Sequence, residues 1–283
     1  MIGRRCEGAP PLGHQTGQPG VACCSLWANR TNVLPPMRPR AHRTIAILTA
    51  MSLCIAVATP AAAARPTPPG PSTIEWSGYT WTVKSHNRKI GPGPNFFSAA
   101  NVSHLGASDD LRLTIQPAGR KWTTAEVIAD TSLGYGTYTW TIKSAPDFDP
   151  NVVLGMFTWN DDPAYAHREV DIEFAKWGDA ADPTNGQYVV QPWDAPDHDH
   201  RWRQPQGLTN TIHSFTWAPG RVDFLSTTSA GTPIASYTYA GSDVPVPGGE
   251  NPRINLWLFR GAAPMNGQPA EVILDSFRFS ALP

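Results

Sequence analysis

After its first 64 residues, this sequence has no cysteine and no sustained helical periodicity, and the whole chain has few charged residues. All four cysteines precede Arg65, so no disulfide can stabilise the rest of the chain. Charged residues make up 16% of the 283 residues and aromatic residues 10%, which favours a packed core over disorder. The missing 3.6-residue period excludes a helical bundle.

Basic residues are also scarce in the part of the chain after residue 64. The first 64 residues hold six arginines and one acid, so the remainder has 16 basic and 22 acidic residues and a net charge of −6. Nucleic-acid-binding proteins usually present a basic surface, so we exclude a nucleic-acid partner.

The first 64 residues have the pattern of an N-terminal extension followed by a secretory signal peptide. Arg38, Arg40 and Arg43 precede an apolar run at 44–58, and the alanines at 61–64 offer cleavage sites. The run is short for a membrane span. We expect a secreted, extracellular monomer that does not use a membrane. Its Pro-rich spacer would be 65–72 and its single catalytic domain 73–283.

Many short strands separated by turns are predicted for that domain. Glycine (24) and proline (29) are abundant, and the segments between them are rich in β-branched and aromatic residues. The eleven segments are 79–84, 111–116, 136–143, 152–159, 169–174, 187–191, 212–218, 222–227, 234–239, 253–259 and 272–279. Eleven strands are too many for one flat sheet, so we predict an all-β fold, a two-sheet antiparallel β-sandwich of jelly-roll type.

Residues 167–174, His-Arg-Glu-Val-Asp-Ile-Glu-Phe, carry three acids at every second position. Because side chains alternate between the faces of a strand, Glu169, Asp171 and Glu173 share one face and the apolar side chains face the core. Neighbouring carboxyls raise one another's pKa and destabilise the fold, so their alignment suggests a functional role. A retaining glycoside hydrolase has such a role for them, because it needs an ionised nucleophile and a protonated acid about 5–5.5 Å apart.

Two other interpretations of the three acids stay open at this point. They could be incidental acids on an exposed strand, although acids are depleted in strands. They could bind calcium, although calcium ligands usually come from a loop that wraps the ion.

The segment 169–174 resembles the Glu-x-Asp-x-Glu motif of glycoside hydrolase family 16, in the unbulged form of lichenases and xyloglucan-active relatives. Other segments resemble family motifs in the same order, and the resemblance covers about residues 76–279. They are Gly-Tyr-Gly-Thr-Tyr at 134–138, the strand at 152–159, His-Ser-Phe-Thr-Trp-Ala-Pro-Gly at 213–220 and Asn-Leu-Trp at 255–257.

The resemblance implies a concanavalin-like jelly roll with a concave substrate cleft. It also implies an endo-acting hydrolase that cleaves β-glycosidic bonds of a polysaccharide, a β-glucan, with retention. Glu169 would be the nucleophile, Glu173 the general acid/base and Asp171 the assisting carboxylate. No cofactor is required, and a structural calcium is not indicated. The segment 176–203 differs from lichenases, so the linkage stays open.

Candidate substrate-binding residues come from the aromatic and amide side chains near the acids. The family match points to Trp159, Trp257, Asn255 and Glu126. Trp177, Trp193 and Trp202 lie in polar segments after the acidic strand and are candidate sugar platforms. Gln187 and Gln191 alternate onto one strand face, where they could bind sugar hydroxyls or make structural hydrogen bonds. Trp76, Trp140 and Trp217 are assigned to the core.

The segment Asp-His-Asp-His at 197–200 has metal-ligand residue types, but it is interpreted as an exposed polar loop and no metal site is predicted. Three alternative functions remain. A transglycosylase would use the same acids. A non-catalytic carbohydrate-binding jelly roll, or a structural or adhesive β-sandwich, would not need three aligned acids.

Overall fold

The computed structural model describes residues 72–106, 108–144 and 148–283, which form sixteen strands, three short 3-10 turns and no α-helix. None of these residues forms a helix that is long and apolar enough to cross a membrane. The predicted signal peptide, its cleavage site and nearly all of the spacer lie outside the described residues.

The first sheet has eight antiparallel strands in the order β1-β2-β6-β15-β8-β9-β10-β11. Their bounds are β1 Thr73–Trp76, β2 Tyr79–Val83, β6 Ala125–Ala129, β8 Val152–Trp159, β9 Val170–Phe174, β10 Gly186–Val190, β11 Asp199–Trp202 and β15 Asn251–Leu258. The acidic strand β9 is internal, paired with β8 and β10.

The second sheet is also antiparallel, in the order β14-β13-β12-β7-β16-β4-β3, with the short β5 paired to β4. Its strands are β3 Val102–His104, β4 Leu111–Ala118, β5 Lys121–Thr123, β7 Gly136–Ile142, β12 Thr211–Ala218, β13 Arg221–Thr228, β14 Pro233–Ala240 and β16 Ala270–Ala281. The 3-10 turns are Ala99–Asn101, Ala166–Arg168 and Phe259–Gly261.

Aromatic side chains fill the space between the two sheets. Trp140 packs against Phe215 and Phe277 at ring-centroid distances of 5.6 and 5.3 Å. Trp76, Trp140 and Trp217 are at most 1% exposed, as the sequence predicted. Burial of large apolar surfaces is the main favourable term in folding, so this core is the principal source of stability.

The predicted fold class is confirmed, and all eleven predicted segments lie in strands. Five strands were not predicted: β1, β3, β5, β6 and β11. Each has only three to five residues. Alternation over so few positions is a weak signal, and pairing with longer neighbours makes these segments extended.

Candidate active site

Strand β9 sends its two sets of side chains to opposite faces of the first sheet. Val170, Ile172 and Phe174 are at most 1% exposed and belong to the core between the sheets. Asp171 and Glu173 point the other way, and Glu169 directly precedes the strand. The two-residue period therefore separates three acids from the core.

A row of aligned residues crosses five strands beside Glu173. Glu173 is paired with Gly155 on β8 and with Gln187 on β10. Gly155 is paired in turn with Asn255 on β15, and Asn255 with Glu126 on β6. A Cβ atom on Gly155 would lie 2.6 Å from Asn255 Oδ1, so only glycine leaves room for this amide next to the acid.

The acids open into one cleft of about 870 Å³. Eleven of the twelve candidate site residues named from the sequence line it, all but Trp202: Glu126, Trp159, Glu169, Asp171, Glu173, Trp177, Gln187, Gln191, Trp193, Asn255 and Trp257. A cleft of this size suits a chain of sugar rings better than a single small metabolite.

Burial raises the pKa of Glu173 well above its usual range, and the charge of Asp171 adds to this effect. One hydrogen bond opposes the shift, because Gln187 Nε2 donates to Glu173 Oε2 at 2.6 Å. Glu173 therefore retains a proton at a pH at which an exposed glutamate has lost it.

Glu169 also has a raised pKa, because of burial and then the charge of Glu173, but two neighbours favour its ionised form. The positive charge of Arg253 is one of them. The other is an interaction with Asp171 that lowers the pKa of Glu169 and raises that of Asp171. The three carboxyls titrate as a coupled unit, and burial raises the pKa of each of them.

Two cations that the sequence analysis did not identify lie on the floor of the cleft. Lys84 Nζ is 2.7 Å from Glu126 Oε2, and Arg253 Nη1 is 3.7 Å from Glu126 Oε1. Arg253 shares a face of β15 with Asn255 and Trp257, at positions i, i+2 and i+4, so the strand period could have identified it. The Nε of Arg253 is buried without a hydrogen-bond partner.

Aromatic side chains form the walls of the cleft. Trp177 packs at 6.0 Å from Trp257 and at 5.4 Å from Phe259, measured between ring centroids. Trp193 is 63% exposed, which leaves a ring face free for a sugar. Trp159 is stacked on His167 at 4.1 Å with an angle of 7° between the rings, so His167 covers one of its faces.

No protein-family model and no curated protein sequence matches this chain, whereas many solved structures do. A Bacillus licheniformis β-glucanase has a TM-score of 0.55 and 20% identity over 71% of this chain and 92% of its own. A Bacteroides ovatus family 16 enzyme has a TM-score of 0.57 and 16% identity over 71% and 94%. A Mycobacterium tuberculosis antigen described as a pseudo β-1,3-glucanase has a TM-score of 0.54 and 22% identity over 76% and 95%.

This chain has the jelly-roll fold of glycoside hydrolase family 16. At these identities the similarity concerns the fold, and the roles of individual residues must be argued from the site. In this jelly roll, strands of the first sheet and the segments next to them supply the acids and the cations of the cleft. Eleven of the twelve candidate site residues are brought together, and their catalytic and binding roles stay predictions.

Two interpretations of the segments after β9 need correction. Trp202 is not a platform, because it is 6% exposed and packs against Phe174 between the sheets. The segment 197–200 is exposed only in part: Asp197 and Asp199 are exposed as expected, but His198 is 2% exposed and β11 begins at Asp199. His198 Nδ1 lies 2.6 Å from the Val190 carbonyl oxygen, a contact that sequence spacing did not indicate.

In the described part of the chain, no group of three or more His, Cys, Asp or Glu side chains is arranged to hold a metal ion. The three acids themselves contact amides and one another.

Proposed function

We propose that this chain is a retaining, endo-acting glycoside hydrolase of family 16 that cleaves β-glycosidic bonds of a neutral polysaccharide, a β-glucan. The observation that carries the proposal is the placement of three buried carboxyls side by side in one cleft with aromatic walls. Burial raises the pKa of Glu169 and of Glu173, so each can hold a proton at a pH at which an exposed glutamate is ionised. Retention requires one carboxyl as the acid and the other as the nucleophile, and a coupled group of this kind can supply both.

The reaction would proceed in two steps. Glu173 gives its proton to the glycosidic oxygen while a Glu169 oxygen attacks the anomeric carbon, and the bond to the leaving sugar breaks. The Glu173 carboxylate then takes a proton from water, whose oxygen attacks the same carbon and releases Glu169. Two inversions restore the original configuration, and Glu173 is protonated again.

The pairing of the cations favours a neutral substrate. Three of the four cations that line the cleft already face an acid: Lys84 and Arg253 face Glu126, and Arg201 lies 2.6 Å from Asp182. The acidic groups of a sulfated or uronic-acid polysaccharide would have to compete with Glu126 and Asp182 for these cations. The similar structures of β-glucanases support a glucan.

Release of reducing ends from a polysaccharide panel tests the proposal. Barley β-glucan, laminarin, xyloglucan, agarose, carrageenan and xylan would be compared, with Glu169→Ala as the control. We expect release from a neutral glucan, lost in the variant by at least about 10³-fold. Added acceptor oligosaccharide separates hydrolysis from transglycosylation, since a transglycosylase would form longer products.

A non-catalytic carbohydrate-binding protein is the second candidate, because one protein of this fold is described as a pseudo β-1,3-glucanase. It predicts that the folded chain binds a glycan without releasing any sugar. Glycan binding by the folded wild-type chain with no release from any substrate of the panel would overturn the hydrolase.

Secretion remains part of the proposal, supported by the leader pattern of residues 37–64. Mass spectrometry of the protein from the culture medium would then show a chain starting near Arg65. A chain that stays in the cells with the first 64 residues attached would contradict it.

A further inference from the structure

The side chain of Gln187 is held on both of its ends. Its Oε1 accepts hydrogen bonds from Trp177 Nε1 and from Arg201 Nη1, each at 2.8 Å. Both partners can only donate, and an amide nitrogen could accept from neither. The amide orientation is therefore fixed by chemistry, with Nε2 directed at Glu173 Oε2 at 2.6 Å.

The network that holds Gln187 is built on three adjacent strands. Glu173 on β9, Gln187 on β10 and Arg201 on β11 are direct neighbours in register. Arg201 is itself fixed, because its Nη2 donates to Asp182 Oδ2 at 2.6 Å and to the Ala175 carbonyl at 3.0 Å. Side chains anchored on strands hold a functional group more accurately than loop residues do.

We infer that Gln187 is a positioning residue for the acid/base Glu173 and decides which oxygen of Glu173 carries the proton. The inference rests on the proposed function only where it calls Glu173 the acid/base. Because Oε2 of Glu173 faces an N–H donor, the proton of the neutral acid resides on Oε1. When Glu173 has given this proton away, Gln187 stabilises the carboxylate that remains.

The role differs from that of a sugar ligand. Gln187 is 5% exposed, and its oxygen already accepts two hydrogen bonds. A carbonyl oxygen has two lone pairs, so the oxygen of Gln187 has none left for a sugar hydroxyl, and only the second N–H of its amide could contact a sugar. Loss of Gln187 should therefore affect proton transfer before it affects affinity.

The pKa of Glu173 can be measured without any substrate. Carbon-13 NMR titration of glutamate carboxyls, assigned with Glu173→Gln, would compare the wild-type chain with Gln187→Met and Gln187→Glu. Methionine keeps the length of glutamine without the donor, and glutamate places a second carboxyl against Oε2. We expect the pKa of Glu173 to rise by about one unit or more in both variants.

Gln191→Met is the matched control. Gln191 Nε2 donates to Asp171 Oδ2 at 3.2 Å, so this variant removes an equivalent amide from the neighbouring acid. Its effect should fall mainly on Asp171. A pKa of Glu173 that stays the same in both Gln187 variants, or moves as much in Gln191→Met, would overturn the inference.

Leaving-group dependence provides the kinetic test. An aryl glycoside with a dinitrophenyl leaving group departs without a proton, whereas a polysaccharide needs one. Gln187→Met should lower kcat/KM, which reports the first step, by at least about 10-fold on the glucan and by less than about 3-fold on the aryl glycoside. An equal loss on both substrates would show a merely structural role.

The two proposals can fail separately. If the wild-type chain releases no sugar but the pKa of Glu173 rises in both Gln187 variants, the proposed hydrolase is wrong and the assignment of Gln187 stands. If the wild-type chain is active but the pKa does not move, only the assignment of Gln187 is wrong.

Discussion

Glu169, Asp171 and Glu173 leave one strand segment on the same side, yet each contacts a different neighbour. Glu169 is near the charge of Arg253, Asp171 accepts from Gln191, and Glu173 accepts from Gln187. The two glutamates therefore have different partners, although burial raises the pKa of both. Burial of these acids without a full set of opposite charges destabilises the folded state and shifts their pKa values, and proton transfer can use these shifts.

Replacing Glu169 by Gln should stabilise the protein at pH 7 while abolishing activity. Burial and the charge of Glu173 raise the pKa of Glu169 from 4.5 to about 8. The unfolded chain therefore binds fewer protons than the folded chain between these values, so the free energy of unfolding falls as pH rises through this window. Glutamine removes the penalty, and we expect a gain of about 2 kcal/mol at pH 7.

Thermal unfolding at pH 4 and pH 7 checks this prediction. The gain should nearly vanish at pH 4, where the glutamate is neutral in both the folded and the unfolded chain. A variant that is less stable than wild type at pH 7, or equally stabilised at both pH values, would contradict it.

The sequence predicted the alignment of the acids but not the partners that each of them contacts. Alternation within residues 169–174 is a local property, which the strand period reveals. Arg253 and Gln187 reach the acids only through the pairing of β15 and β10 with β8 and β9. Such partners, distant in the chain, require the sheet order, which composition and periodicity do not provide.

At the scale of elements, the connection from β8 to β9 has an uncommon backbone. Tyr165, Ala166, His167 and Arg168 all have φ values between 49° and 62°, in the left-handed region. None is glycine, so each position costs about 1 kcal/mol or more. This turn could not be predicted from the sequence, because non-glycine residues rarely adopt a left-handed backbone.

Contacts of the buried Arg168 side chain hold this turn in place. Its Nε donates to the Val246 carbonyl at 3.0 Å, and its Nη1 lies 3.5 Å from Asp162 Oδ2. The backbone carbonyl of Arg168 accepts from Thr158 Oγ1 at 2.8 Å. We call these contacts of Arg168 the Arg168 latch. Because Glu169 directly follows Arg168, the latch also fixes the position of Glu169, the candidate nucleophile.

Gly248→Ala should release the latch. A Cβ atom at this position would lie 2.4 Å from Arg168 Nε, closer than non-bonded atoms approach. We expect a stability loss of about 2 kcal/mol and at least a 10-fold lower kcat, since Glu169 is displaced. Val246→Ala on the same loop is the control, because this side chain is 45% exposed and its carbonyl is kept.

Urea unfolding and steady-state kinetics of the two variants check the latch. If Gly248→Ala changes neither the urea midpoint nor kcat, the position of Arg168 is not required for stability or activity, and the prediction is wrong. A loss of stability with unchanged kcat would restrict Arg168 to a role in folding.

At the scale of the whole molecule, the core between the sheets holds one fully buried histidine. His213 Nδ1 lies 2.8 Å from Ser226 Oγ and its Nε2 lies 2.8 Å from Thr211 Oγ1. Burial lowers the pKa of this imidazole to about 3. The ring packs 5.0 Å from Phe174, the core neighbour of the acidic face, so protonation would place a charge directly beneath the catalytic strand.

The free energy of unfolding should therefore fall as pH drops from about 6.5 towards 3. In this window the unfolded histidine binds a proton and the folded one does not, which costs about 1.4 kcal/mol for each pH unit. His213→Gln removes this contribution and should flatten the slope of melting temperature against pH, whereas His86→Gln at an exposed position should not. Equal slopes for wild type and His213→Gln would place the acid sensitivity elsewhere.

The two buried sites act in opposite directions, since the acids destabilise the fold as pH rises above 4.5 and His213 does so as pH falls below 6.5. Stability should therefore be highest between these values, where Glu173 also keeps its proton.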